Sequence, residues 1–268
     1  MVTDAEGPGA GAVVFLGPTL PASDARALLP GAVILPPARQ GDLYRAVRDL
    51  RPAAVGLVDG LFLNDAAVWH REILWALDEG VRMLGAASMG ALRCAETHIF
   101  GMEPVGKIAD AFITGRYSPY EERFEDDDEV AIVHAPAGLG WLPASDAMVD
   151  LRETLAAAEA AGEIGPAARD ALCAAQKRLH FPGRSLRALI GSAPSIAGAE
   201  GEAFAAWARQ DGNAVSQKRR DAEELMARLA GRPEPAPARP AFRFERTAIW
   251  ERFRTYADAA DALTRDPP

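Results

Sequence analysis

The sequence predicts an α/β fold, a parallel sheet with helices on both faces that is followed by a mostly α-helical C-terminal region. Three observations predict this fold. Short, almost continuously apolar runs alternate with amphipathic segments through the first half of the chain. These runs end in turns rich in Gly, Pro or Asp, which is typical of buried strands. After Pro143 the composition shifts to alanine-rich segments of helical character.

The first half of the chain contains five apolar runs of strand length. They are predicted as strands at 12–17, 32–35, 53–58, 81–87 and 130–134. Three helices are predicted between the first four strands, at 21–29, from Asp42 onward, and after a cap at Asn64 or Asp65. His134 stands at the end of the fifth predicted strand.

The second half is predicted to be helical. The helical segments are expected at 145–161, 166–179, 186–190 and 202–229. A Pro-rich linker follows, and Trp250 and Phe253 mark a final helix. The predicted organisation is a mobile tail at 1–11, an α/β core at 12–143, a helical region at 144–230, a linker at 231–240 and a C-terminal tail helix at 241–268.

Composition excludes several classes of function. The chain has 268 residues and a formal net charge of −9, so nucleic acid is not an expected partner. Its two cysteines, Cys94 and Cys173, form no C-x-x-C pair and predict neither a disulfide framework nor a zinc site. The N-terminus lacks a signal-peptide pattern, and no apolar run is long enough to span a membrane. We therefore expect a cytoplasmic protein without a membrane partner.

Candidate ligand-binding residues follow the predicted strands. The carboxyl ends of parallel strands meet at one edge of a sheet, and ligands bind beyond that edge. Polar and glycine-rich turns follow the first four predicted strands, and a helix follows the last of these turns. The residues predicted to bind substrate are Thr19, Arg39, Gln40, Asp59, Gly60, Met89, Gly90 and Arg93.

Ser88 lies in a Gly/Ala/Ser turn between a predicted strand and an alanine-rich helix. This is the setting of a nucleophile elbow, although the pattern reads A-A-S-M-G instead of G-x-S-x-G. Two other interpretations remain open from the local sequence. Ser88 could be a helix N-cap, a role worth about 1 kcal/mol. The turn could also hold an anion on its free N–H groups.

A serine nucleophile needs a base within hydrogen-bond reach, and the base needs an orienting group. Of the four histidines, His134 is the one predicted near the edge of the sheet, so it is the candidate base. Asp127 in the acidic run at 121–129 is the candidate orienter, in the chain order of α/β-hydrolases. Solvated surface is the favoured interpretation for Glu121 to Glu125 of this run. Because it specifies no coordination geometry, we predict no metal site.

Several ordered strings between about Ala12 and Pro136 resemble the TfuA-like proteins. They are GPTL at 17–20, PPARQGD at 36–42, Asp59-Gly60 with Phe62, VWHREIL at 68–74, GAASMGALR at 85–93, Gly101-Met102 with Val105-Gly106, and DDEVA at 127–131 with His134. The helical region after Pro143 falls outside this resemblance.

The resemblance implies that the chain acts together with a YcaO protein. A YcaO protein is an ATP-dependent enzyme that activates a peptide-bond oxygen for replacement by sulfur. It implies a role in thioamidation of ribosomally made peptides, including antibiotic biosynthesis. The TfuA-like member would hydrolyse a thiocarboxylated, ubiquitin-like sulfur carrier and release sulfide, with no cofactor. Ser88, His134 and Asp127 would then be catalytic.

A different class of function stays open beside this one. The chain could be a binding module that recruits or activates the YcaO protein without covalent chemistry. A nucleotide-binding protein is disfavoured, because the sequence lacks both G-x-x-x-x-G-K-[ST] and a clear G-x-G-x-x-G.

Overall fold

A computed structural model of the chain describes residues 11–61, 65–231 and 242–259. Five features expected from the sequence therefore lie wholly or partly outside the described residues. They are the tail at 1–11 except Gly11, the linker at 231–240 except Gly231, residues 241 and 260–268 of the tail helix, the possible cap Asn64, and Phe62 of the family-like strings.

A five-stranded parallel sheet with strand order β2-β1-β3-β4-β5 forms the centre of the first half of the chain. Its strands are β1 (Ala12–Phe15), β2 (Val33–Leu35), β3 (Ala54–Leu57), β4 (Arg82–Ala86) and β5 (Glu103–Val105). The α/β class and the first four strands are confirmed. All four are buried along nearly their whole length, as expected of a sheet covered on both faces.

The fifth strand was predicted in the wrong place. Residues 130–134 form no strand, and His134 makes only an isolated bridge to Pro143. The fifth strand is instead Glu103–Val105, which pairs with β4 at the edge of the sheet. Pro104 lacks an N–H donor, and an edge strand tolerates this because only one of its sides is paired. The Glu103 carboxylate accepts two hydrogen bonds of 2.7 Å from the Arg82 guanidinium of β4.

Ten α-helices lie in the described residues. They are α1 (Ala22–Leu28), α2 (Asp42–Leu50), α3 (His70–Asp78), α4 (Met89–Thr97), α5 (Gly106–Thr114), α6 (Met148–Ala160), α7 (Pro166–Lys177), α8 (Leu186–Ala208), α9 (Gln217–Ala230) and α10 (Ala248–Ala259). The helical C-terminal region is confirmed. Its internal boundaries differ from those predicted, because residues 209–216 separate α8 from α9 and α8 is broken at Gly198, with φ 54° and ψ −128°.

The chain forms two compact units. The first comprises residues up to Ile113 and residues from Arg219 onward, and it contains the sheet. Alternate side chains of β1 enter two different apolar layers of this unit. Val13 and Phe15 pack in one layer with residues of α2, α3 and α10, whereas Val14 packs in the other with residues of α1 and α9. The sheet therefore carries helices on both faces.

The second unit, Thr114–Lys218, contains α6, α7 and α8, which pack against one another. Its buried apolar side chains include Leu155, Leu172, Leu189 and Phe204. In the ranges that the structure describes, no helix is both long and apolar enough to cross a membrane.

Candidate functional site

The candidate site lies in the first unit, at the sheet edge formed by the carboxyl ends of the strands. In a sheet of order 2-1-3-4-5 the connections from β1 and β3 leave in opposite directions, and ligands of such folds bind in the crevice between these strands. The loops that follow β1 and β3 therefore flank this crevice, and the turn that follows β4 lies at the same edge of the sheet.

Asp59, two residues after the end of β3, occupies the crevice between β1 and β3. Its Oδ2 accepts the N–H groups of Gly17 and Thr19 at 2.9 and 3.0 Å. Its Oδ1 accepts the Thr19 hydroxyl at 2.6 Å. Asp59 is 2% exposed, and it accepts hydrogen bonds from the same N–H groups that a phosphate bound in this loop would need. The predicted residues Asp59 and Thr19 are thus brought together as partners of each other.

Glu72 of α3 plays the same part in the loop that follows β2. This fully buried carboxylate accepts the N–H groups of Gly41, Tyr44 and Trp69 at 3.0–3.1 Å. Burial raises the pKa of Glu72 to about 7, although the three backbone donors oppose that shift. The N–H groups of Gly41 and Tyr44, at the start of α2, are therefore satisfied by the chain itself.

Asp221 of α9 is the third buried carboxylate that accepts backbone N–H groups, here at the start of α5. Its two carboxylate oxygens accept the N–H groups of Lys107 and Ile108 at 3.1 and 2.8 Å. Gly106 before them has φ 84°, and a Cβ there would lie 2.2 Å from Cγ of Asp221. In the loops that follow β1, β2 and β5, buried carboxylates of the chain thus accept hydrogen bonds from N–H groups of the loop or of the helix start. These three loops are poor cradles for an anionic ligand.

The turn between β4 and α4 is different. Ala87 has φ 65°, and the Ser88 N–H donates to the Ala86 carbonyl at 2.8 Å, which is the hydrogen bond of a γ-turn with positive φ at its centre. Such a turn is rare and strained for a residue with a side chain. The Gly90 N–H donates to the Val58 carbonyl at 3.1 Å. This sharp junction confirms the strand–turn–helix setting expected for Ser88.

Gly90 permits this junction by close backbone contact. A Cβ at Gly90 would lie 1.8 Å from the carbonyl oxygen of Leu57, at the end of β3. Gly60 is crowded in the same way, because a Cβ there would lie 2.6 Å from Cγ of Met89 and 2.9 Å from the Ala38 oxygen. The predicted residues Gly60, Met89 and Gly90 thus lie together where the loops after β2, β3 and β4 meet.

The Ser88 side chain does not cap α4. Ser88 is 6% exposed, and its hydroxyl makes no cap hydrogen bond. The Met89 N–H, first in the helix, has no hydrogen-bond partner among the described residues. In a nucleophile elbow, the N–H after the nucleophile is a donor for the oxyanion. Ser88 is the N-cap residue of α4 by position, but the side-chain hydrogen bond of the N-cap alternative is not formed in the conformation described.

The three remaining residues predicted to bind substrate have varied surroundings. Arg39 is 54% exposed in its side chain, with Nε 3.7 Å from Asp42. The Gln40 N–H donates to the Ala66 carbonyl at 2.7 Å. Arg93 donates to the Val68 carbonyl and to Glu96, both at 2.8 Å. Arg39 is thus the more available cation of the two arginines.

His134 and Asp127 lie in the second unit. In that unit, Nδ1 of His134 is 2.9 Å from the Ala135 carbonyl oxygen, and its ring packs edge-on against Trp141 with centroids 5.2 Å apart. Asp127 is exposed and begins a 3-10 turn, Asp127–Glu129. Their roles as base and orienter stay predictions.

The acidic run at 121–129 is largely paired within the second unit. Buried Arg152 donates to both Glu129 oxygens at 2.9 and 2.7 Å and also contacts Glu122. Lys177 pairs with Asp126, Asp128 and Glu129 at 2.7–3.0 Å. The run is therefore an internal ion-pair network rather than solvated surface alone. The described residues contain no group of three or more His, Cys, Asp or Glu that could hold a metal ion.

Sequence reasoning missed Glu72 and Asp221. A signal for Glu72 was present, because it lies four residues after Val68 and four before Ala76, on the inward face of α3. Asp221 gave no comparable signal, since its partners are more than a hundred residues away along the chain.

The family model of the TfuA-like protein matches residues 59–185. Residues 59–185 are therefore similar to the TfuA-like family, which supports the resemblance seen in the sequence. The match begins at Asp59 and includes the Ser88 turn. It starts later than the resemblance predicted and extends further, through α6 and α7, which were expected to fall outside it. No curated protein matches the chain. At the level of the family, a TfuA-like protein is a partner in a YcaO-associated system.

Proposed function

We propose that this TfuA-like protein hydrolyses the C-terminal thiocarboxylate of a ubiquitin-like sulfur carrier and releases sulfide for the YcaO protein. The YcaO protein would use that sulfide for backbone thioamidation of a ribosomal peptide. In this proposal Ser88 is the nucleophile, and the N–H of Met89 stabilises the oxyanion.

The chemistry is an acyl transfer in two steps. The Ser88 oxygen attacks the thiocarboxylate carbon, the carbon–sulfur bond breaks, the hydroxyl proton leaves with the sulfur, and hydrosulfide departs from an acyl-serine ester. Water then attacks the ester carbon, which returns the hydroxyl to Ser88 and yields the carrier carboxylate and a proton. A backbone donor to the oxyanion in such reactions is worth about 3 kcal/mol.

One observation supports this proposal above the others. The β4–α4 turn combines a positive φ at Ala87, a serine hydroxyl not used as a cap, and a Met89 N–H without a hydrogen-bond partner in the part of the chain that the structure describes. Three neighbouring loops at the same sheet edge instead have N–H groups held by Asp59, Glu72 and Asp221. Of these four loops, the chemistry is best assigned to the turn that contains Ser88.

A specific observation also favours the second candidate function, a non-catalytic module that recruits or activates the YcaO protein. Among the described residues, the Ser88 hydroxyl has no hydrogen bond to a base. Serine is a weak nucleophile without one. In this alternative, the turn binds the end of the carrier and leaves the reaction to the YcaO protein.

The decisive experiment incubates a thiocarboxylated carrier with the isolated chain and, separately, with the chain and a YcaO protein. Intact-mass spectrometry follows the exchange of sulfur for oxygen, and a colorimetric assay follows sulfide. The proposed function predicts conversion by the isolated chain. Conversion only when the YcaO protein is present would favour the recruiting module, and no conversion in either mixture would contradict the hydrolase.

A further inference from the structure

One backbone N–H beside the Ser88 turn belongs to Gly60, in the loop after β3. The Asp59 carbonyl accepts the Ala38 N–H at 3.0 Å, on the side of β3 where β1 and β2 lie. The Asp59–Gly60 peptide is trans, so its carbonyl and its N–H point in opposite directions. The Gly60 N–H therefore points away from Ala38, toward the side of β3 where β4 and its turn lie.

The peptide before it is oriented in the same way. The Asp59 N–H donates to the Phe15 carbonyl of β1, and the Val58 carbonyl of that peptide accepts the Gly90 N–H, both at 3.1 Å. The Val58 carbonyl and the Gly60 N–H thus face the first turn of α4. Gly90 uses the carbonyl, whereas the Gly60 N–H has no hydrogen-bond partner in the part of the chain that the structure describes.

Gly60 lies against Met89, the first residue of α4. A Cβ at Gly60 would lie 2.6 Å from Cγ and 2.9 Å from Cβ of Met89. The Met89 N–H also lacks a partner among the described residues. Two adjoining residues from different loops therefore offer unused N–H groups next to Ser88, whose side chain is 6% exposed and makes no cap hydrogen bond.

We propose that the Gly60 N–H is the second donor of the oxyanion hole, together with the Met89 N–H. A nucleophile elbow pairs the N–H that follows the nucleophile with a second N–H from another strand-to-helix loop. Here that loop is the one after β3, the strand next to β4. Both donors bind the thiocarboxylate oxygen when it becomes an oxyanion on the carbon attacked by Ser88. This inference rests on the proposed hydrolysis and adds Gly60 to its catalytic residues.

The second donor is held in place before a substrate arrives. The Asp59 carboxylate is buried and accepts the N–H groups of Gly17 and Thr19 at 2.9 and 3.0 Å. The Asp59 backbone is bonded to β1 and to the loop after β2. The Asp59–Gly60 peptide is thus fixed on several sides. Donors that need no reorganisation stabilise a developing oxyanion most effectively.

The test removes the Gly60 N–H and adds no side-chain atom. Gly60 is replaced by glycolic acid, so that an ester oxygen takes the place of the N–H. The matched control is the same replacement at Gly138 in the second unit. Like Gly60, Gly138 has an N–H without a partner among the described residues, and the carbonyl before it accepts one backbone N–H, from Gly140 at 2.9 Å. Thermal unfolding checks that both proteins fold like wild type.

We expect kcat for sulfide release to fall about 100-fold in the Gly60 ester. In the Gly138 ester, kcat should stay within about twofold of wild type. KM should not change in either protein, because the oxyanion exists only in the transition state and the tetrahedral intermediate. Wild-type kcat in the Gly60 ester, an equal loss in the Gly138 ester, or a loss confined to KM would overturn the proposal.

A second measurement uses the unmodified chain. The probe is the carrier with a C-terminal aldehyde in place of the thiocarboxylate. The Ser88 oxygen bonds to the aldehyde carbon, the double bond of that carbon to oxygen becomes single, and the hydroxyl proton moves to that oxygen. The amide proton resonances of Gly60 and Met89 should both move downfield in the adduct, and that of Gly138 should stay in place. A shift of Met89 without a shift of Gly60 would contradict the second donor.

The hydrolase and its second donor can fail separately. Sulfide release by wild type, with equal release by the Gly60 ester, would keep the hydrolase and overturn the role of Gly60. No sulfide release by wild type would overturn the hydrolase and, with it, the oxyanion hole.

Discussion

At the scale of single residues, Ser88 and Glu72 show two uses of a polar group at one sheet edge. Glu72 is fully buried and accepts three backbone N–H groups, so it stabilises the loop that follows β2. The Ser88 hydroxyl is not used in this way. Its oxygen is not among the fully buried side-chain atoms that lack a partner, so solvent or a ligand can reach it.

Glu72 predicts a pH dependence of stability. Burial raises the pKa of its carboxyl from 4.5 to about 7, so between these values the folded chain holds a proton that the unfolded chain has lost. Its contribution is complete below pH 4.5 and is lost as the pH rises through 7. From pH 4.5 to 7, the free energy of unfolding of wild type should fall relative to Glu72→Gln, by about 3 kcal/mol.

Chemical denaturation over this pH range measures the difference. Exposed Glu121 provides the control, because the Glu121→Gln variant should follow the wild-type curve. Parallel curves for wild type and Glu72→Gln would contradict the account of Glu72.

Gly90 predicts a steric effect at the Ser88 turn. The methyl group of Gly90→Ala would meet the Leu57 carbonyl, a backbone atom that cannot turn away. We expect a loss of stability at the upper end of the about 1–3 kcal/mol that overpacking costs. Gly191→Ala in α8 meets no atom within 4 Å and should be neutral or slightly stabilising. Similar unfolding midpoints for the two variants would show that the turn is not close-packed.

At the scale of elements, the sequence predicts the four buried strands and fails at the edge strand. Apolar runs identify β1 to β4 because each of these strands is buried by helices. The segment Glu103-Pro104-Val105 is neither an apolar run nor an alternation of apolar and polar residues. Its position in the sheet depends on the ion pair between Glu103 and Arg82 and on pairing with β4. The apolar residues 130–132 satisfy the strand pattern but are used in loop packing. Tertiary contacts outweigh the local pattern in both places.

The candidate site, like the sheet, was predictable only in part from the sequence. The Ser88 turn and the loops around it follow from the positions of the strands and the turn residues. The partners of those loops do not, because Asp221 comes from α9 and Glu72 from within a helix. Long-range pairs of this kind leave no periodic signal in a single sequence.

The C-terminal helix α10 provides the prediction at this scale. Trp250 is fully buried and packs against Tyr44, Trp69, Trp75 and Phe253, with ring centroids 5.1–6.3 Å apart. Trp250→Ala should lower the free energy of unfolding by about 3–5 kcal/mol.

Trp250→Phe should cost less than Trp250→Ala, since the indole N–H is buried without a partner among the described residues. Ile249→Ala on the exposed face is the control. If Trp250→Ala unfolds like this control, α10 does not contribute to the core.

At the scale of the whole molecule, each unit has its own means of stabilisation. The unit with the sheet depends on two apolar layers and three buried carboxylates. The unit with α6 to α8 depends on helix packing and on ion pairs around Arg152, whose Nη2 is 2.7 Å from buried Glu129.

Arg152→Leu should destabilise the second unit by about 3 kcal/mol, because it removes one partner of a buried ion pair and leaves buried Glu129 without its closest guanidinium. Hydrogen exchange measured by mass spectrometry should show the loss of protection mainly in peptides from residues 114–218. Strands β1 to β4 should keep most of their protection. An equal loss in these strands would mean that the whole chain unfolds as one cooperative unit.

The central claim is that Ser88 carries the chemistry, and the rate of sulfide release from a thiocarboxylated carrier tests it most directly. Wild type is compared with Ser88→Ala, which removes a hydroxyl without a cap bond and should leave the unfolding midpoint unchanged. Exposed Ser23→Ala is the control. We expect sulfide release by wild type and by the control, and its loss in Ser88→Ala. Release at the wild-type rate by Ser88→Ala would contradict it.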